Sequence, residues 1–156
     1  MKLSWFSFYD LVLALWVGGM AIFTFVVTPV IFKSYGRDMA GEIVGRLFPG
    51  YFLYNLGLCA AALVLFFLLA ADRPVLPYRL SLVLLSTALI INLYIAFKLH
   101  PEAVRIKQEV VSFERESPDS PARKKFRQVH GMSAVLNLVL IAQGATLLVV
   151  SPLLRK

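Results

Sequence analysis

Apolar residues fall into four long runs, and the stretches between them are charged, polar or rich in proline. The first run, residues 3–32, reads LSWFSFYDLVLALWVGGMAIFTFVVTPVIF; the others cover about 48–71, 80–97 and 129–150. Each is close to or longer than the roughly 20 residues that an α-helix needs to cross hydrocarbon. None shows the strict alternation of a half-buried strand. The pattern predicts an all-α chain, an integral membrane four-helix bundle, as one domain over residues 1–156. Between the first two runs, Asp38 is placed to cap a short interfacial helix over 38–47, and Pro49-Gly50 to bend the chain into the membrane. A polar loop spans about 98–128: its first half, PEAVRIKQEVVSFER, has helical character, and ESPDSP is a breaker cluster. Ser120 as N-cap and Pro121 at the first helical position then open the last helix.

Polar side chains interrupt the runs at matching depths. Thr24, Asn55, Asn92 and Asn137 each lie roughly 9–12 Å from the surface that carries the first and third loops, at 1.5 Å per residue. His130 precedes Asn137 by two helical turns and shares its face, nearer that surface. Asp10 lies near the opposite one. Two readings fit: hydrogen bonds that hold helices together, or a site that binds or conducts a small ligand or ion. The candidate site residues are His130, Asn137, Asn55, Asn92, Thr24 and Asp10, with His130 expected to be shielded and hydrogen-bonded to a neighbouring span or its loop. No cofactor is predicted, the weaker alternative being a haem ligated by His100 and His130, at one end of neighbouring spans. No set of catalytic residues names a reaction. A third class is an accessory subunit, packing on a partner or on a second copy through small faces at Gly18, Gly57 and Gly144.

Composition narrows the class further. Hydrophobic residues make up 59% of the chain, charged ones 16%, and the mean hydropathy is +0.75, which excludes an ordinary soluble domain. Cys59 is the single cysteine, so no disulfide forms within the chain. The net charge of +7 is explained by orientation rather than by nucleic acid, for which no motif exists. Eleven Lys and Arg lie in or beside the first and third loops, against five at the termini and second loop. The positive-inside rule then gives cytoplasmic first and third loops in the cell inner membrane, with both termini outside and membrane lipids as partners. The first run is too long for the apolar region of a signal peptide.

Three stretches, WVGGMAIFTFVVTPVIF, GEIVGRLFPGYF and FRQVHGMSAVLNL, together resemble the transmembrane protein 205-like family of small four-span membrane proteins, whose domain has no assigned function. The resemblance covers most of the chain and rests on Gly19, Phe48, Pro49, Tyr51, Phe52, His130, Gly131 and Asn137. It implies a four-helix membrane fold and no settled activity. A fainter likeness links the first span to copper-resistance and protoporphyrinogen-oxidase membrane proteins. Those families carry a histidine before the tryptophan-glycine pattern, where this chain has Tyr9 and Asp10.

Overall fold

Four helices of 30 to 34 residues carry the four apolar runs: α1 (Trp5–Ser34), α2 (Arg37–Leu69), α3 (Leu76–Glu109) and α4 (Pro121–Val150). A 3₁₀ turn, Ser151–Arg155, ends the last. This computed structural model describes residues 5–69 and 75–155, among which there is no strand. At 1.5 Å per residue the helices are about 45–50 Å long, against ~30 Å of hydrocarbon. Their charged ends therefore project beyond the apolar layer.

One stripe of each helix faces inward. On α1 it is Tyr9, Leu13, Trp16 and Met20, at alternating spacings of four and three. Cys59, Ala62 and Phe66 on α2, Leu85 and Ala88 on α3, and Leu140 and Leu147 on α4 complete the core. The outward faces are as apolar as the inward ones, with Phe25, Leu53, Ile90 and Val135 all exposed. In water such a surface would aggregate; in a bilayer it is the lipid face.

Two helices depart from the predicted boundaries. The separate helix expected before Pro49-Gly50 is absent: α2 runs unbroken through Pro49, and the segment 38–47 is its first turns. Proline removes one backbone donor and crowds the carbonyl four residues back, which here belongs to Gly45. Rings on both sides hold the helix there, Phe48 and Tyr51 on Phe23 and Phe52 on His100. The expected polar loop 98–128 shrinks to about 110–120, because α3 continues to Glu109 and α4 begins at Pro121. Ser120 caps α4 as predicted, accepting from the Arg123 amide. Residues 3–4 of the first predicted span and 70–71 of the second lie outside the described residues.

Candidate functional site

Two widened turns shape the loop end of the bundle. The backbone is π-helical over Phe23–Val27 in α1 and over Ile95–Leu99 in α3, and each is followed two residues later by a proline, Pro29 or Pro101. The proline takes away a donor and pushes on the preceding turn. In each case the residue before it reaches one residue further back: the Thr28 amide donates to the Phe23 carbonyl, and the His100 amide to that of Ile95. π-bulges of this kind re-aim side chains and recur at functional sites. Here they deliver Thr28 and His100 to one cavity and Thr24 to a hydrogen-bonded cluster beneath it.

That cluster joins three helices. The Tyr51 hydroxyl of α2 donates to Asn137 Oδ1 of α4 at 2.5 Å, and Asn137 Nδ2 donates to Thr24 Oγ1 of α1 at 2.8 Å. Asn55, one turn beyond Tyr51 and fully buried, also meets the Tyr51 hydroxyl, while its own Oδ1 is without a partner. Asn137 is thus acceptor and donor at once, through the two ends of its amide. Phe23 stacks on the Tyr51 ring, centroids 4.2 Å apart, and fixes the hydroxyl in place.

Above this bracket lies a cavity of about 280 Å³, walled mostly by apolar groups of all four helices. Phe48 and Phe52 come from α2, Leu99 and Ala103 from α3, and Phe126 from α4. Thr28 and Ser133, one turn loopward of Thr24 and Asn137, supply its polar atoms near the bracket. Both histidines line it. His100 packs against Phe52 at 5.0 Å, and His130 stacks on Phe126 at 5.7 Å with the rings nearly parallel. Arg37 and Lys107 also line it, and Lys107 Nζ donates to the Gly41 carbonyl at 2.8 Å.

The connection between α3 and α4 closes over this cavity through Phe113. Asp38, in the first turn of α2, accepts from the Ser112 hydroxyl and from the Phe113 amide, each at 2.6 Å. The Ser112 oxygen in turn accepts from the Glu114 and Arg115 amides, a compact side-chain-to-backbone turn. So held, the Phe113 ring meets Phe126 edge-on at 5.0 Å and lies under the Arg123 guanidinium.

The sequence-predicted residues therefore separate into three groups. Thr24, Asn55 and Asn137 meet, with Tyr51 as the member that sequence patterning classed with ordinary aromatics. Asn92 does not join them: its amide donates to the Ala88 carbonyl of its own helix, and its side chain meets the Cys59 thiol. Asp10 lies at the far end, where the Ser151 hydroxyl donates to it. His130 corrects the expectation of a shielded, hydrogen-bonded imidazole. It is exposed at the cavity rim and has no hydrogen-bond partner among the described residues, its ring stacked on that of Phe126 one turn earlier in the same helix. Lys107, Asp38 and Phe113 were not foreseeable as one assembly; the GEIVG spacing of Gly41 and Gly45, a seat for a neighbouring helix, was the signal available. No group of three or more His, Cys, Asp or Glu able to hold a metal exists among the described residues.

Four spanning helices with lipid-facing surfaces make this a multi-pass integral membrane protein with a four-helix bundle fold. The family model for a domain of unknown function, DUF4149, matches residues 11–112, and the chain belongs to that family. No curated protein and no solved structure matches it.

Proposed function

We propose that this protein binds a small apolar or amphiphilic ligand in the cavity at the loop end of the bundle, and that the Thr24–Tyr51–Asn137 bracket below it is structural. The carrying observation is the cavity itself: apolar walls from four helices with a few convergent polar groups are the usual form of a ligand site, and the bracket's hydrogen bonds are used between helices. The site named from sequence thus moves loopward, keeping His130, giving Thr24, Asn55 and Asn137 to the structural bracket and leaving Asn92 and Asp10 outside. The family relationship is proposed to extend to the transmembrane protein 205-like proteins, since FRQVHGMSAVLNL lies beyond the matched residues 11–112. A photoreactive twelve-carbon alcohol tests the cavity. It should label residues lining it saturably in phosphatidylcholine nanodiscs, and the filling variants Ala103→Trp and Ser133→Trp should abolish that labelling at unchanged melting temperature. Undiminished labelling in both would put the ligand elsewhere.

A redox reading with haem is favoured by one observation, that His100 and His130 line the same cavity. Each ring packs on a phenyl ring, Phe52 or Phe126, and shared lining is its one support, so it stands second. A Soret band in purified protein, lost in His130→Gln, would establish it.

The orientation proposed is that of the charge count, in the cell inner membrane with the cavity opening towards the cytoplasm. Ser117→Cys, exposed in the connection before α4, should be labelled only from the cytoplasmic side, and Ser4→Cys only from outside. Labelling of Ser117→Cys in intact cells by an impermeant reagent would reverse the orientation, and same-side labelling of both would contradict an even number of spans.

A further inference from the structure

The cavity has a charge that the protein leaves unmatched. Its two charged lining residues, Arg37 and Lys107, are both cations, and no carboxylate lines it. The ion pairs among the described residues lie elsewhere, Arg46 with Glu42 and Lys124 with Asp119. Acids of the same end have other contacts: Asp38 holds the Ser112–Phe113 turn, Glu42 pairs with Arg46, and the Glu114 carboxylate lies against Gly36. Lys107 is also positioned rather than loose. Its ammonium donates to the Gly41 carbonyl and lies beside Gly41 and Gly45, where a Cβ would be in ordinary contact at 3.9 and 3.6 Å from Nζ. An ammonium has three donors, and the Gly41 carbonyl accepts from one. Arg37 is exposed and Lys107 half-buried, so water solvates both, and an anionic head group at the mouth would take up the donors that the protein leaves open.

We propose that the ligand is a single-chain anionic amphiphile of the fatty-acid class. Its carboxylate sits between Lys107 and Arg37, and its chain lies along Val44, Phe48, Phe52 and Leu99 towards the bracket. The assignment rests on the cavity being a ligand site, and it adds the head group and the number of chains. Volume decides the second point. About 280 Å³ is at the lower end of ligand pockets and takes one chain rather than the two of a phospholipid. Phe113, held by Asp38 through its amide, lines the mouth as an apolar side.

The test uses the full chain in phosphatidylcholine nanodiscs with two matched probes, a diazirine-bearing dodecanoic acid and the corresponding alcohol. The acid, at a pH where it is ionised, should label the 44–52 and 99–107 segments roughly tenfold more strongly than the alcohol, the effect of one charge-assisted hydrogen bond. Lys107→Gln should abolish that preference without changing alcohol labelling, and Lys107→Arg should retain it. Arg37→Gln, at the exposed rim, should reduce it by a smaller factor, which keeps the test open if Lys107→Gln fails to fold. Unlabelled dodecanoate should displace the acid probe, and a diacyl phosphatidic acid should not. Equal labelling by acid and alcohol, or a preference unchanged in both charge variants, would overturn the anionic assignment while leaving the cavity as a site. Displacement by phosphatidic acid would overturn the single-chain assignment. Labelling that survives Ala103→Trp and Ser133→Trp would overturn the cavity reading itself, and the assignment with it.

Discussion

Gly144→Ala is expected to destabilise the bundle by about 1–3 kcal/mol, the usual cost of overpacking a fitted core, while Gly18→Ala is neutral or slightly stabilising. Both substitutions gain the same helix propensity, up to ~1 kcal/mol, so their difference isolates packing. A Cβ on Gly144 would stand 2.5 Å from Val17 Cγ2 and 3.5 Å from the Trp16 ring, and Trp16 is fully buried. Valine is stiff at χ1 and the indole behind it has no room to retreat, so α4 must move off α1. On Gly18 the same Cβ would meet nothing within 4 Å. Melting of the two variants in detergent measures the difference; equal melting temperatures would show that α1 and α4 do not pack through Gly144.

The second large effect falls on the bracket. Asn137→Leu removes both of its interhelical hydrogen bonds at once, leaving the Tyr51 hydroxyl to Asn55. Single interhelical hydrogen bonds in membranes average near 0.6 kcal/mol, so two predict a loss of about 1–2 kcal/mol. Tyr51→Phe should lose less, because Asn137 keeps Thr24. The double variant should lose less than the sum of the two single losses, since one bond is counted in both. Strict additivity would mean that Tyr51 and Asn137 are not coupled across α2 and α4.

Much of the architecture was legible because a bilayer leaves few options. Four apolar runs of spanning length can only be helices or barrel strands, and the runs lack alternation. Helix ends were harder. Charge placed the end of the third span near residue 97, yet α3 continues through Lys98, Arg105 and Lys107 to Glu109, because a helix does not stop where hydrocarbon does. Pro49 carries the same lesson in reverse: a breaker by propensity is retained where Phe23 and His100 pack on the neighbouring Phe48.

The site was legible in part. Depth counting found Thr24, Asn55 and Asn137 at one level, and those three do converge. It placed Asn92 with them because depth carries no rotation, and the side chain turns to Cys59 instead. The π-helical turn over Ile95–Leu99 also shifts every later residue of α3 relative to an ideal count, which is how His100 and Lys107 reach the cavity. Tyr51 could have been found from its place one turn before Asn55, on the same face. The Asp38–Ser112 contact joins residues 74 apart in sequence, and nothing local encodes it. Gly144, grouped with Gly18 and Gly57 as an outward small face, is used inside the protein, against Trp16 and Val17.

The proposed division of the loop end of the bundle, a bracket that stabilises and a cavity that binds, is tested most directly by one paired measurement. Melting temperature and saturable photolabelling by the twelve-carbon probes are read side by side in Asn137→Leu and in Ala103→Trp. The predicted result is a crossed pattern: Asn137→Leu melts lower with labelling of the folded fraction retained, and Ala103→Trp melts as the parent protein with labelling lost. Labelling lost in Asn137→Leu at an unchanged melting temperature would contradict it, and would make the polar bracket the ligand site.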